Sequence, residues 1–483
     1  MTSGGSNYIL FSDVHLGADL IQHVRPWTLA HLKQVARIDR DLAAMLDHYR
    51  ERADPERPWT LVIAGDLIDF IGMSIAPGGK EALETGLNAE ERMNGLGSAA
   101  DHAEQKMRAV AVRHPTVFQR LAAFVAAGHR LVLVRGNHDL DFHWEPARRA
   151  FVDAIWSCVV EAGAETQTRL EFEQRVEFYP WFYYVEGLLY VEHGHQFDAM
   201  CNYSDLLAPV SPSDPRRLSW SFSDWLLRTV ARPTPGLTNE GHDGWGLFDY
   251  VRMAASMGVM GALRLGSRYL HAIAAGIRAG RDHLTDAAKA IRAEHERGVT
   301  DLARRMRLSR EKLGALAALW PTPVTRGVVS VLRSVFLDRI VLFGLALMLG
   351  TVAPAVGAPW WVSVSLIALL IVGLTGYSVG SAPHRAADVE PSSAMRRAAL
   401  RIKALLPARF VVMGHTHEPM LERLDADSTY INLGNWSLDE LDAPEHDAPR
   451  THLVLEYIDG QVRAEFRAWR SGVGPVSFEP SAG

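Results

Sequence analysis

Five short segments hold the side chains able to do chemistry: Asp13-Val14-His15, Gly65-Asp66-Leu67-Ile68-Asp69, Gly136-Asn137-His138-Asp139, His193-Gly194-His195 and Gly414-His415-Thr416-His417. Their carboxylates, imidazoles and one amide are the oxygen and nitrogen donors that divalent metals use when they activate water. Each segment alone is a weak signal. An isolated Asp-x-His is ordinarily a surface loop, and Gly-Asp or Gly-Asn is a common turn dipeptide. A single histidine at a strand end is ordinarily a packed core residue. The set is informative because every member follows a short apolar run that reads as a buried strand. In open α/β sheets reactive groups gather where strands end.

The elements that must position these groups can be read from the pattern. Tyr8–Ser12, Trp59–Ala64 and Arg130–Arg135 read as buried strands, and Leu188–Glu192 and Phe410–Met413 repeat the theme. The stretches Trp27 to Arg52 and Phe118 to Gly128 have helical periodicity. Strands alternating with helices predict a layered α/β domain. The tail adds three predicted strands, Tyr430–Leu433, His452–Tyr457 and Gln461–Trp469. Residues 7–201 and 405–470 are therefore expected to form one domain, interrupted by a helical insertion over 202–404.

The insertion reads differently from its surroundings. Ser219 to Leu227 is rich in Trp and Phe, and Tyr250 to Leu313 reads as long helix rich in Ala and Arg. Ile340 to Pro383 contains no Asp, Glu, Lys or Arg, with Pro354, Gly357 and Pro359 in its middle. This predicts a transmembrane or re-entrant hairpin at about 340–380, since a spanning helix needs about 20 apolar residues. The first arm is short, and it extends to spanning length only if flanking arginines snorkel. Four motifs precede the hairpin and one follows, so the chain must return to the side it left. Arg326, Arg333 and Arg339 flank one end, and Arg385, Arg396, Arg397 and Arg401 the other. The positive-inside rule then puts the chemistry on the cytoplasmic face of an inner or plasma membrane. A buried helical hairpin or an oligomer contact is the alternative.

Bulk properties narrow the class. With 483 residues, 48% of them hydrophobic, the chain can build more than one core. A formal charge of -6 argues against a nucleic-acid partner. Cys158 and Cys201 are far apart and form no CxxC, so a disulfide framework is not expected. The first seven residues lack the basic and apolar regions of a cleaved signal.

In their order and completeness the five motifs resemble those of the calcineurin-like metallophosphoesterases: D-x-H, G-D-x-x-D, G-N-H-D, H-G-x and G-H-x-H. The resemblance covers roughly residues 7–198 and 407–469. It implies a four-layer αββα sandwich of two mixed sheets. It also implies two divalent ions, Mn²⁺ first with Fe or Zn²⁺ as alternatives. Asp13, His15, Asp66 and His417 would hold one ion, and Asp66, Asn137, His193 and His415 the other, with Asp66 bridging. His138 would then donate a proton to the leaving oxygen, with Asp139 or Asp69 orienting an imidazole. A more distant similarity runs to bacterial UDP-2,3-diacylglucosamine pyrophosphatases, through Ser12-Asp13-Val14-His15-Leu16-Gly17 and Asn432-Leu433-Gly434-Asn435-Trp436. The chain departs from that type at His138, where Arg is usual, and at His193-Gly194-His195, where H-G-D is usual.

The resemblance implies a hydrolase of phosphate esters or pyrophosphates, and the hairpin suggests a membrane-associated or lipid-linked substrate. A phosphodiesterase of soluble nucleotides or nucleic acid is the alternative, with the hairpin as anchor only. Further positions carry weaker expectations. His195 could line the site or make a structural hydrogen bond. Asn435 and Trp436 are expected to shape the turn beneath it, Asp141 and His143 to be solvated, and Cys201 to be structural. Trp220, Phe222 and Trp225 suit a substrate cap, an interfacial belt or ordinary packing.

Overall fold

The computed structural model describes residues 6–21, 29–78, 83–163, 167–234, 256–328, 330–331, 391–437 and 449–480, and the single positions 359, 361 and 365. Apart from those three positions, the predicted hairpin lies outside the described residues. Among the described residues, no helix is long and apolar enough to cross a membrane.

The strands in chain order are β1 (Asn7–Phe11), β2 (Trp59–Ala64), β3 (Arg130–Val134), β4 (Val176–Tyr179), β5 (Phe182–Val185), β6 (Leu189–Glu192), β7 (Phe410–Met413), β8 (Met420–Arg423), β9 (Thr429–Asn432), β10 (Arg450–Ile458), β11 (Gln461–Arg470) and β12 (Gly474–Ser477). The helices are α1 (Leu29–Glu51), α2 (Ala89–Asn94), α3 (Ala100–Arg113), α4 (Pro115–Ala126), α5 (Glu145–Glu161), α6 (Arg169–Glu173), α7 (Phe222–Leu226), α8 (Gly258–Asp282), α9 (Asp286–Met306), α10 (Arg310–Ala317) and α11 (Pro391–Leu405). One sheet runs β12-β11-β10-β1-β2-β3-β4 and the other β5-β6-β7-β9-β8. Both are mixed: β1 pairs parallel with β2 and antiparallel with β10, and β7 pairs parallel with β6 and β9 while β8 returns antiparallel.

The two-residue period of a strand explains the layering. Tyr8, Leu10, Val62, Ala64, Val132 and Val134 face Leu189, Val191, Val412 and Ile431 of the second sheet. The intervening residues Ile9, Phe11, Leu61, Ile63, Leu131 and Leu133 turn outward, where α1, α3, α4 and α5 cover them with Met45, Met107, Phe118 and Phe151. The outer face of the second sheet, with Tyr190, Val411 and Met413, packs on Met395 and Ile402 of α11 and on Leu302 and Leu313 from the insertion. The result is helix, sheet, sheet, helix. Part of the insertion thus completes the fourth layer, and β12 extends the first sheet past residue 470.

The long helix expected over 250–313 is interrupted, and the described part is α8, α9 and α10. Local chemistry sets the breaks. Thr285 Oγ1 accepts from the Ala288 amide at 3.3 Å and starts α9. Arg307 adopts φ 55 and ends it, and Ser309 Oγ accepts from the Lys312 amide to start α10.

Three arginines fasten the segment around α7 to the first half of the chain through buried pairs. Arg217 holds Glu91 with two bonds of 2.7 Å. Arg228 Nε reaches Glu90 at 2.7 Å, and its Nη2 caps the carbonyls of Gly95 and Leu96. Arg232 Nη2 donates to Asp69 at 2.6 Å. Breaking a buried pair strands a charge and costs about 3–5 kcal/mol. Arg228→Ala is therefore expected to lower unfolding stability in urea by roughly that amount, because Glu90 is only 8% exposed. Arg228→Met with Glu90→Gln should recover most of it. A loss below about 1 kcal/mol, the range of surface pairs, would show that the arginine is not needed for docking.

Candidate metal centre

β1, β2 and β3 are parallel neighbours, so the loops after them leave from one end of the first sheet. β6 and β7 are parallel in the second sheet, and their loops meet the others. Backbone bonds tie the loops across: His15 N donates to Asp66 O at 2.9 Å, Gly414 N to His193 O at 2.9 Å, and Trp436 N to Asp13 O at 2.9 Å. Side chains complete the weave, with His138 N donating to Asp66 Oδ1 at 2.9 Å and His415 N to Asp13 Oδ2 at 3.1 Å.

The backbone is strained at these residues. Asp13, His15, Asp66, His415 and His417 all take positive φ, between 52 and 68 degrees. This left-handed region is uncommon for residues with a Cβ, and persists only where the surroundings enforce it. Glycines make room for the bends. A Cβ at Gly136 would overlap Asp66 Oδ1, and one at Gly414 would overlap Asp13 Oδ2 and Ser12 Oγ.

Four groups of donors result among the described residues, two of them around Asp13; the others are His15, Asp66 and His138, and Asp198, Cys201 and His415. Asp13, His15 and His417 offer ligand atoms within 4.8 Å of one another, and so do Asp13, Asp66 and His193. His417 Nε2 lies 3.2 Å from Asp13 Oδ1, and His15 Nε2 lies 3.9 Å from both Asp13 Oδ1 and Asp66 Oδ2. His193 donates Nδ1–H to Ala64 O at 2.9 Å, which leaves a lone pair on Nε2 in the neutral ring. That Nε2 faces Asp66 Oδ2 and Asn137 Oδ1, each at 3.1 Å. Three lone-pair atoms thus converge in a buried space, an arrangement that a cation resolves. The donor set fits divalent metal.

The electrostatics agree. Asp66 is 1% exposed. Burial would raise its pKa, but the His193 and His138 imidazoles beside it hold it well below the usual carboxylate range. Burial opposes charge on His193, yet Asp66 and Asp13 push its pKa up to about 9. A bound cation would compete for those carboxylates and return the ring to the neutral form a metal needs.

His415 sits differently from the other expected ligands. Its Nε2 meets Asp198 Oδ2 at 3.2 Å, so Nδ1 is the ring nitrogen left to turn toward His193, whose ring centre is 5.2 Å away. Asp198 was not singled out in the sequence. It follows a short turn after His195, and only the fold brings it under His415. Cys201 is the third member of that group, and burial lifts its thiol well above the usual range, which disfavours the reactive thiolate.

Of the two carboxylates considered for orienting an imidazole, Asp69 does so. Its Oδ1 accepts from His138 Nδ1–H at 2.7 Å. Burial opposes charge on His138, but Asp69 and Asp66 raise its pKa to about 10. Asp139 braces the loops instead, with Oδ1 accepting from Gly136 N at 2.6 Å and Oδ2 from Leu67 N at 3.0 Å. Its pKa rises to about 7 through burial and the nearby Asp66 charge.

The residue pattern matches the family model of the calcineurin-like phosphoesterases over residues 7–251. The chain belongs to the calcineurin-like phosphoesterase family. It is accordingly a metal-dependent hydrolase of phosphoester bonds. No curated protein sequence matches the chain significantly. The matched span stops short of His415 and His417, yet β7 brings both into the phosphoesterase centre.

The remaining expectations divide. Trp436 lies beneath the centre, 1% exposed and 5.7 Å from Phe11, which suits a supporting role. Asp141, expected to be solvated, is fully buried; burial raises its pKa and the charge of the buried Lys106 opposes the rise. His195 is buried with both ring nitrogens lacking a hydrogen-bond partner. Burial, with His193 and His415, keeps it neutral. Trp220 packs on Trp225 and over the Arg228 guanidinium, which is ordinary packing.

Gly136→Ala is expected to displace Asp66 and lower the bound metal measured by plasma mass spectrometry, while the fold, read by circular dichroism, persists. Unchanged metal content would refute the crowding argument. Asp66→Asn should lower metal content further, since it removes a carboxylate that both His193 and His15 face.

Proposed function

We propose that this phosphoesterase holds two divalent ions, Mn²⁺ ahead of Fe or Zn²⁺. One would lie among Asp13, His15, Asp66 and His417, and the other among Asp66, Asn137, His193 and His415. Ions bound there would lower the pKa of water and neutralise phosphoryl charge. The convergence of Asp66 Oδ2, Asn137 Oδ1 and His193 Nε2 at 3.1 Å carries this reading. His138 acts as the acid. Asp69 fixes Nδ1–H, so Nε2 is the nitrogen left to give its proton to the leaving oxygen.

The substrate in this reading is a membrane-associated or lipid-linked phosphoester or pyrophosphate, cleaved at the cytoplasmic face. Two features support it. The uncharged run at 340–383 is flanked by arginines. Val259, Leu263 and Leu270, at spacings of four and seven, share one exposed apolar face of α8. Exposed apolar faces of this kind suit a lipid interface.

Two measurements test this. His138→Gln should lower kcat by about 10²- to 10⁴-fold with metal content unchanged. An undiminished kcat would remove the histidine from the chemistry. A screen of the Mn²⁺-loaded full chain against UDP-linked glycolipids, lipid pyrophosphates, phospholipids and nucleotides, with Asp66→Asn as blank, should favour an amphiphile. Equal turnover of soluble nucleotides would reject the lipid-linked substrate.

A further inference from the structure

A cavity of about 480 Å³ opens beside the metal centre, within the size range of small-molecule sites. None of the proposed metal ligands lines it. Its walls come from the loop after Asp69, from α2, from the segment following α7 and from α8. Arg232 and Arg268 line it, and Met93 supplies exposed apolar surface.

The charge on its walls is unbalanced. Arg228 is spent on Glu90, the one acidic residue among the described lining. Arg232 shares Asp69 with His138, so one carboxylate serves two cations. Arg268 meets a hydroxyl, Thr234 Oγ1 at 2.7 Å, and no carboxylate among the described residues. Burial and the neighbouring Arg264 together disfavour its charged form, as expected of a guanidinium without an anionic partner. Guanidinium pairs are the usual receptors for phosphoryl oxygens.

The cavity and the centre are joined through one side chain. Gly72 and Arg232 both line the cavity, and both donate to Asp69, at 2.7 and 2.6 Å. Asp69 in turn holds His138. A Cβ at Gly72 would collide with Asp69 and Arg232, so the glycine lets the guanidinium close on the carboxylate.

We propose that this cavity is a second anion site, which takes a phosphoryl group at Arg268 and Arg232 and the adjoining apolar part of the same ligand against Met93. The choice of a phosphorylated ligand rests on the phosphoesterase reading above. The group belongs either to the substrate, as a second phosphoryl remote from the bond cleaved, or to a free phosphorylated effector.

The test uses the Mn²⁺-loaded full chain, Arg268→Glu and Arg268→Lys, with inorganic pyrophosphate as calorimetric probe. Wild type and Arg268→Lys should bind pyrophosphate in two classes, at the metals and in the cavity. Arg268→Glu should lose one class while its melting curve and its kcat/KM on bis-p-nitrophenyl phosphate stay unchanged. On a substrate with two phosphoryl groups, Arg268→Glu should raise KM by roughly 10- to 100-fold with kcat held, the loss of one charge-assisted contact. Loss of the binding class with KM unmoved on both substrates assigns the site to a free effector. Identical pyrophosphate stoichiometry in wild type and Arg268→Glu overturns the proposal. Hydrolysis by none of the proteins would overturn the phosphoesterase mechanism, and the calorimetry would still decide the cavity.

Discussion

Buried negative charge is the constraint around which this molecule is organised. Asp13, Asp66, Asp69 and Asp139 lie close together and are each at most 2% exposed. Carboxylates cannot remain ionised in such a place without compensation. The chain supplies it in distinct ways. Asp139 is satisfied by two backbone amides. Asp69 is shared between an imidazole and a guanidinium. Asp13 and Asp66 face imidazoles, whose compensation is partial and depends on protonation. The last two are therefore where a bound cation gains most, and the fold directs its donor atoms there.

That compensation requires side chains from two sheets to meet at one point, and the backbone accepts strain to allow it. Five of the expected ligands occupy the left-handed region, and cross-sheet bonds such as His15 N to Asp66 O hold them there. Glycines stand wherever a neighbour's carboxylate or ring must pass close to the main chain, as Gly136 does beneath Asp66. Strain of this sort is paid for by rigid surroundings, and the αββα core provides them.

Much of this was legible in the sequence because the signals were local. β1, β2, β3, β6 and β7 each matched an apolar run to within a residue, and the motif residues after them meet at one place. The layering followed from strand–helix alternation. What escaped detection depended on contacts distant in sequence. Asp198 acquires meaning only under His415, 217 residues on. Arg232 reaches Asp69 across 163 residues. Asp141 looked solvated because the buried Lys106 whose charge it feels stands far back in sequence, on α3. The interruptions between α8, α9 and α10 were misread because Ala- and Arg-rich periodicity outweighed the weaker cap signals of Thr285 and Ser309. Asp69 and Asp139 could not be told apart either, since both stand in motifs and only geometry shows which one meets the ring.

The insertion is therefore more than an appendage. Through Leu302, Leu313 and Met395 it forms part of the outer layer on the second sheet, and through Arg217, Arg228 and Arg232 it grips α2 and the loop after β2. The last of these grips carries a chemical consequence. Asp69 has two oxygens: one accepts from Gly72 N and His138, the other from Arg232. Arg232 draws charge from the carboxylate that supports the protonated imidazole, which favours release of the proton. It also fixes the carboxylate's plane, which fixes the ring. Asp69 thus links the docking of the insertion to the proton donor through two hydrogen bonds, and anything that shifts Arg232 alters the acid without touching a metal ligand.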